Sequence, residues 1–368
     1  MAGMVGAEDG WCCQANLLIP IRLTADQALN VLVKRSYSSG EGCFHRKRNM
    51  WESRMDRSYG WRTDNDERLY DTRFPLRARL LRWVGRQTWI PKGQDRLLRL
   101  IWSPARGGRL AFEVDFFGLR YRGNLAHYAD WLVFCYGAAP RCELDLLAEL
   151  AAEHRRRAPT MPLVFCDVGG NVGHHSLFMA PLADQVAIFE PFAPLCDLIR
   201  DKVALNRLNN ITLHPFALGE ADVEASYFPG GGENSGLGSL LPGTGSTTDP
   251  VPVSIRNGDA LCAQAALTGI SIMKIDVEGY EPQVLRGLTR RMQEDRPVVL
   301  MELSPGGRHG FGNEAGMRAC FPPGARFAEV RGRHGHSYTL VPFDFDVSEE
   351  VLVVPPERAD FIDRRLRR

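Results

Sequence analysis

The stretch VFCDVGGNVGHHSLF, from Val164 to Phe178, decides the fold. Its apolar beginning predicts a buried strand, and the sequence from His174 onward predicts a helix. The glycines between them let the backbone turn sharply and approach a ligand closely. A strand, a glycine turn and a helix N-terminus are the usual cradle for a nucleotide-like ligand in an open α/β sheet.

The residues of this turn favour one class of ligand. Asp167, Gly169, Asn171 and Gly173 spell D-x-G-x-N-x-G, whereas a dinucleotide fingerprint would read G-x-G-x-x-G. An acidic residue in the turn repels a pyrophosphate and suits a cationic ligand. S-adenosylmethionine carries a sulfonium and an ammonium, so it is the ligand that we expect. A glycine turn in an unrelated sheet protein is the alternative interpretation.

The chain after the turn alternates short apolar runs with helical patterns, which predicts a parallel, doubly wound sheet. One such run, Val186 to Phe189, ends at Glu190, about 20 residues past the glycine turn, where an acidic residue commonly holds a ribose diol. The alternative role for Glu190 is that of a helix cap or a surface residue.

A third acidic position follows another buried strand. The block SIMKIDVEGYE, Ser271 to Glu281, places Asp276 at the carboxyl end of an apolar strand that is interrupted by Lys274. Glu302 lies near the end of the next apolar run. We therefore expect Glu190, Asp276 and Glu302 along one rim of the sheet. Asp276 and Glu302 could hold a divalent metal, but nothing in their spacing requires one, and we predict none.

Composition bounds the possible partners. The 368 residues carry a net charge of +1, which gives no overall bias toward polyanions, and we expect no nucleic acid partner. Lys and Arg are in excess between Cys43 and Arg109. Such a segment could face a membrane surface, an acidic substrate or nucleic acid, but solvated arginines on amphipathic helices are the simpler explanation.

Cysteine usage and hydropathy bear on location. The nine cysteines form no C-x-x-C pair, and their odd number suggests a reducing compartment. No apolar run approaches the roughly 20 residues that a membrane span needs. The N-terminus does not resemble a signal peptide. We therefore expect a cytoplasmic protein without a transmembrane segment.

Five segments, in order and in register, resemble those of the FkbM-type methyltransferases. They are VFCDVGGNVGHHSLF, FEP at Phe189–Pro191, ALGE at Ala217–Glu220, KIDVEGYE at Lys274–Glu281 and VVLMEL at Val298–Leu303. The resemblance implies a Rossmann-like, seven-stranded class I methyltransferase sheet with helices on both faces and an N-terminal lead-in layer. It also implies S-adenosylmethionine as cofactor and, in most members, O-methylation of a sugar or of a natural-product hydroxyl.

The resemblance also implies roles for individual residues. Asp167, Gly169, Asn171 and Gly173 would hold the methionine portion of the cofactor. Glu190 would hold its ribose, and Phe216–Gly219, with Ala217, would lie near its adenine. Asp276 and Glu278 would face the methyl group. One departure is Gly170, where the family usually has alanine, and we expect it to loosen the turn slightly.

Methyl transfer to a hydroxyl needs positioning and a group that accepts the proton. The candidates for this base are Asp276, Glu278, His174, His175 and His309, of which we favour Asp276. The acceptor would be a small molecule or a saccharide. A different class of function stays open, namely a non-catalytic S-adenosylmethionine-binding module of a biosynthetic assembly. A nicotinamide-dependent oxidoreductase is a distant third possibility.

The predicted organisation has four parts. Residues 1–65 form a variable, partly disordered basic extension, and residues 66–158 form lead-in helices and a hairpin around Gly118 that cover one edge of the sheet. Residues 159–356 form the methyltransferase domain, and residues 357–368 form a basic tail. A glycine-rich insertion, Pro229 to Pro250, is either a lid or binding loop or a surface excursion. Asn234, Ser235 and Ser239 in it could bond an acceptor's hydroxyls.

Overall fold

The computed structural model describes residues 74–87, 90, 93–104, 106, 110–138, 140–229, 238–241, 249–332 and 337–366. The predicted extension, residues 1–65, lies outside them, and so do Asn234 and Ser235.

The described chain contains strands and helices in alternation over most of its length. The strands are β1 (Ala111–Phe116), β2 (Leu119–Asn124), β3 (Val164–Val168), β4 (Gln185–Phe189), β5 (Ile211–His214), β6 (Ala217–Gly219), β7 (Val223–Tyr227), β8 (Val251–Asn257), β9 (Ile270–Ile275), β10 (Val298–Glu302), β11 (Arg326–Arg331), β12 (Thr339–Pro342) and β13 (Glu350–Val354). The helices are α1 (Leu76–Gly85), α2 (Gln94–Ile101), α3 (Tyr128–Tyr136), α4 (Arg141–Arg157), α5 (His174–Met179), α6 (Ala193–Asn206), α7 (Gly258–Gln264), α8 (Glu281–Gly287), α9 (Thr289–Glu294), α10 (Pro305–Phe311), α11 (Glu314–Arg318) and α12 (Asp360–Leu366).

The main sheet has eight strands in the order β12-β11-β13-β10-β9-β3-β4-β5. Five neighbouring strands of this sheet, β10, β9, β3, β4 and β5, are parallel. Strand β13 runs antiparallel between β10 and β11. The α/β, Rossmann-like class I methyltransferase fold is confirmed. The predicted count of seven strands is wrong, because the chain after β11 returns antiparallel as β12 and buries Leu340.

Burial on both faces explains the apolar sequence of the central strands. Every residue of β3 and β9 is buried, as in parallel sheets that carry helices on both sides. Cys166 and Met273 pack on one face with Val284 and Leu285 of α8. On the other face α4 packs against β9, and α5 packs against β3.

The lead-in region differs in part from the prediction. The hairpin of β1 and β2 is confirmed, with Gly118 in a left-handed conformation at its turn. Asn206 of α6 holds the hairpin by accepting the Arg120 N–H at 2.7 Å and donating to the Arg120 carbonyl at 2.8 Å. The position predicted for this region is wrong for α4, which covers a face of the sheet rather than an edge.

Two further segments have structure that the sequence interpretation did not specify. The predicted basic tail is helical as α12, which packs on β11 and β12 and buries Phe361 and Ile362. The strands that flank the glycine-rich insertion, β7 and β8, pair antiparallel in a separate three-stranded sheet with β6. Within the described residues, no helix is both long and apolar enough to cross a bilayer.

Candidate active site

A cleft lies where β3, β4 and β9 end. Its polar lining includes Asn171, Glu190, Asp276 and Glu278, and the backbone of Gly169 and Ala217 contributes to its walls. Its apolar lining comes from Phe189, Leu195, Leu218, Tyr227, Leu240, Val277 and Tyr280. No Lys or Arg lines it among the residues that the structure describes. The lining of the cleft therefore combines carboxylates with apolar side chains.

Close packing fixes the glycine turn. Gly169 has φ of 87°, and its N–H donates to the Phe189 carbonyl at 2.9 Å. A Cβ on Gly169 would lie 1.9 Å from the Asp276 carbonyl oxygen, so the absence of a side chain lets the turn rest on the end of β9. Gly173 starts α5 and does not line the cleft.

Gly170, the departure from the family pattern, lies where close packing leaves no room for a side chain. A Cβ at this position would lie 2.3 Å from Cγ2 of Ile188, a fully buried residue of β4. The alanine that is usual in the family would not fit here without a shift of that side chain. Glycine at 170 therefore accompanies close contact with β4 rather than a loosened turn.

Glu190 lies at the end of β4, inside the cleft. It is 4% exposed, and its carboxylate accepts the Asn171 N–H at 2.8 Å and the Phe192 N–H at 2.9 Å. Burial raises the pKa of Glu190 to about 7, and the two backbone donors only partly offset this effect. Each oxygen accepts one backbone bond, so lone pairs remain for donors in the cleft.

Asp167 is placed differently from the other predicted cofactor residues. It is 1% exposed, does not line the cleft, and accepts the Ser176 hydroxyl at 2.5 Å. Its Oδ1 has no hydrogen-bond partner among the described residues. Burial raises the pKa of Asp167 to about 6, against the attraction of Lys274. The role of Asp167 beside the methionine portion stays a prediction.

Asp276, Glu278 and Glu302 converge beside the cleft, with ligand oxygens within 4.8 Å of one another. Lys274 Nζ lies 2.8 Å from Asp276 Oδ2. Burial alone would raise the pKa of Asp276, but the Lys274 ammonium and a hydrogen bond from Glu302 hold that pKa well below its usual range. The negative charge of Asp276 raises the pKa of Glu302, so Glu302 serves as the neutral donor of this pair.

Glu278 has a raised pKa, whereas the pKa of Asp276 is lowered. Burial and the charges of Asp276 and Glu281 raise the pKa of Glu278 to about 7. Its backbone is left-handed, with φ of 51°, and its carbonyl accepts the Ser239 hydroxyl at 2.8 Å. Ser239 is buried, so the structure does not support the prediction that it meets an acceptor. A base works best with a pKa near the working pH, which favours Glu278 over Asp276.

The histidines are poor bases here. His174 is 8% exposed and does not line the cleft, and neither of its ring nitrogens has a partner in the described part of the chain. Burial lowers the pKa of both His174 and His175. The structure therefore does not support the prediction that His174 is catalytic. His309 is exposed and lies outside the cleft lining.

Sequence reasoning missed two elements of the site. Lys274 is 2% exposed and lies 4.0 Å from Glu143 Oε2 as well as against Asp276. The signal for it was a single charge inside an apolar strand, which in a buried strand requires partners. Tyr227 and Leu240 line the cleft from the insertion and its flanking strand, and no pattern in the sequence marked them.

Comparisons with known proteins agree with this architecture. The model of the methyltransferase FkbM domain matches residues 167–332. A hexuronic acid methyltransferase, AglP, from Haloferax volcanii is 27% identical over 137 residues. That match covers 37% of this chain, and it spans about half, 54%, of the curated relative's length.

Two solved structures are similar to parts of this chain at low sequence identity. Methyltransferase FkbM from Methylobacillus flagellatus KT is 14% identical with a TM-score of 0.34, over 54% of this chain and 46% of that one. The O-methyltransferase from Bacillus cereus in complex with SAH is 10% identical with a TM-score of 0.34, over 62% and 90% of the two chains. The strand order and the match to the family model together settle the classification: residues 167–332 are a methyltransferase FkbM domain.

Proposed function

We propose that the protein is an S-adenosylmethionine-dependent methyltransferase that acts on a hydroxyl of a sugar or of a natural product. The observation that carries this proposal is the cleft at the carboxyl ends of β3, β4 and β9. It combines an apolar wall with three carboxylates, one of which, Glu190, is buried at the position expected for a ribose-binding residue.

The residues of the cleft fit this cofactor. Glu190, Asp276 and Glu278 supply negative charge for a sulfonium and an ammonium. The amide Oδ1 of Asn171 is buried and accepts no hydrogen bond within the described chain, so it can receive a donor of the cofactor. A dinucleotide would place its pyrophosphate among these acids without a Lys or Arg of the described lining to neutralise it.

For methyl transfer the protein mainly has to position the reactants and accept the proton of the hydroxyl. The bound cofactor supplies an electrophilic methyl group. Glu278 accepts the proton of the acceptor hydroxyl, and such a positioned base contributes about 10²–10⁴-fold. Asp276, kept ionised by Lys274, stabilises positive charge in the cleft but is too weak a base for a hydroxyl. Glu302 donates to Asp276 and holds it in place.

We propose that the reaction needs no metal. The oxygens of Asp276, Glu278 and Glu302 are close enough for a divalent ion. However, Lys274 already lies against one Asp276 oxygen, and the charge of Asp276 raises the pKa of Glu302. Dialysis against EDTA should leave the rate unchanged, and recovery of a lost rate by Mg²⁺ or Mn²⁺ alone would contradict this proposal.

Transfer of a labelled methyl group tests the function. Purified protein is incubated with methyl-labelled S-adenosylmethionine and extracts of hydroxyl-bearing acceptors, and label is followed into product. Wild type should transfer label, and Glu278→Gln should lose transfer but retain cofactor binding. Cofactor binding without transfer to any acceptor would favour the non-catalytic module instead.

A further inference from the structure

Exposed leucines are concentrated on the first two helices of the described chain. Leu76 of α1 is 68% exposed, and Leu97 and Leu100 of α2 are 41% and 75% exposed. These three residues are here called the leucine patch. The other exposed large apolar residues of the described chain are single ones on four separate segments, namely Met161, Val223, Val347 and Leu366. Single apolar residues are normal on a protein surface, whereas a group of them marks a contact surface.

Two contacts hold α1 and α2 side by side and antiparallel. At one end the Gln94 amide donates to the Val84 carbonyl at 2.9 Å. At the other end the Arg77 side chain donates to the Ile101 carbonyl. The first turn of α1 therefore lies beside the last turn of α2, and the members of the leucine patch belong to one surface. The two leucines of α2 are three residues apart, so they share one face of that helix.

Positive charge surrounds the leucine patch. The two helices carry five arginines and one acid, Asp95. Asp95 accepts the Tyr136 hydroxyl. Four of the arginines are exposed, namely Arg77, Arg79, Arg96 and Arg99. These helices lie in the part of the chain where Lys and Arg are in excess, and the structure shows that the arginines alternate with exposed leucines rather than forming a purely polar face.

From this arrangement we propose that α1 and α2 dock the protein reversibly on an anionic lipid bilayer. The leucines enter the boundary between head groups and acyl chains, and the arginines contact the lipid phosphates. Stable attachment at a bilayer surface takes both an apolar and an electrostatic contribution, and this surface supplies both. A nucleic acid would pair with the arginines but leave the leucines in water. The inference goes beyond the proposed function and does not depend on it.

Flotation of the full chain with lipid vesicles tests this contact. Vesicles of phosphatidylcholine alone are compared with vesicles of phosphatidylcholine and phosphatidylglycerol. Wild type should bind the anionic vesicles at least about tenfold more strongly, since several arginines meet the charged surface. Binding should weaken between roughly 0.1 M and 1 M salt, because the screening length falls from about 10 Å to about 3 Å. Absence of binding to anionic vesicles, or equal binding to both kinds, would overturn the inference.

A leucine variant tests the apolar contribution. Leu97→Ser/Leu100→Ser should weaken binding to anionic vesicles about tenfold or more, because the apolar side chains that enter the bilayer are lost. Both side chains are exposed, so the midpoint of urea unfolding should stay unchanged. Leu100→Ser alone replaces the double variant if the latter does not fold. Val347→Ser, at an exposed apolar residue outside the two helices, is the matched control and should bind like wild type.

An arginine variant tests the electrostatic contribution. Arg79→Gln/Arg96→Gln should weaken binding to anionic vesicles about tenfold, since each arginine near a charged bilayer contributes about fivefold or less. Arg290→Gln, at an exposed arginine of α9, is the matched control and should bind like wild type. Binding that is unchanged in both double variants would place the lipid contact elsewhere in the chain and overturn the inference. A leucine variant that keeps vesicle binding but changes oligomeric state would assign the patch to a second copy of the chain, which would also overturn it.

Discussion

Replacing Glu190 by glutamine separates the effect of this buried acid on stability from its effect on cofactor binding. In the folded protein the pKa of Glu190 is about 7, against an ordinary value of 4.5, because its carboxylate is buried. A glutamine at this position would keep the shape and one acceptor oxygen but could not ionise. The substitution should therefore alter two quantities, the pH dependence of stability and the affinity for the cofactor.

The magnitude follows from the pKa difference. Below pH 4.5 Glu190 is protonated in both the folded and the unfolded chain, so its contribution to stability is fully present. As the pH rises toward 7, the unfolded chain ionises while the folded one holds its proton, and that contribution is lost. The free energy of unfolding of wild type, relative to Glu190→Gln, should fall by roughly 3 kcal/mol across this range.

Ionisation of Glu190 lowers the stability of the folded protein but should strengthen its binding of the cofactor. An ionised carboxylate that accepts two ribose hydroxyls is worth more than a neutral amide, since hydrogen bonds to charged groups contribute about 1.5–3 kcal/mol. Glu190→Gln should therefore weaken S-adenosylmethionine binding by about 10- to 100-fold. In wild type the affinity should rise as the pH passes through 7, where Glu190 becomes ionised.

Urea unfolding between pH 4.5 and 8 and titration calorimetry at pH 6 and pH 8 measure these quantities. Glu224→Gln, an exposed glutamate on β7, is the matched control and should change neither. A stability difference that is flat with pH would refute the assignment of a raised pKa to Glu190. An unchanged cofactor affinity in Glu190→Gln would refute its role at the ribose.

Three further substitutions test the rest of the site. Glu278→Gln should lower kcat about 10²–10⁴-fold with cofactor affinity largely kept. The wild-type rate should rise with pH to a plateau above about 7. A rate that is flat from pH 5 to 8 would argue against Glu278 as the base. Lys274→Met should lower the free energy of urea unfolding by about 3–5 kcal/mol at neutral pH, because the buried acids lose their counter-charge. The loss should shrink in acid as Asp276 takes up a proton, and an equal loss at every pH would count against the pairing. Gly170→Ala should destabilise by about 1–3 kcal/mol through overpacking. Its loss in the Ile188→Ala background should be smaller, whereas strictly additive losses would rule out the contact.

The sequence predicted well what depends on local pattern and on the geometry of a parallel sheet. Strands β3, β4, β9 and β10 are predictable because each is a short apolar run between turn residues. The rim position of Glu190, Asp276 and Glu302 followed from the rule that the carboxyl ends of parallel strands share one edge.

Properties that depend on contacts between distant segments could not be predicted in this way. The choice of Glu278 over Asp276 as base depends on Lys274, whose ammonium bonds one acid and not the other. The hydrogen bond that Asp167 accepts from Ser176 of the next helix is likewise a tertiary contact. These properties come from burial and partners, neither of which a local pattern reports.

The eighth strand shows a second limit. β12 has a single short run, Thr339 to Pro342, and lies beyond the last of the motifs. Its pairing with β11 is set by tertiary packing, which decides the fate of short apolar runs. The lead-in helix α4 is similar, since its pattern predicted a helix but not the face of the sheet that it covers.

Titration calorimetry of the full chain with S-adenosylmethionine tests the central claim most directly. The acidic cleft at the ends of β3, β4 and β9 should bind one equivalent in wild type, and Glu190→Gln should weaken that binding. Absence of heat with S-adenosylmethionine, together with saturation of the same cleft by NAD, would contradict the account.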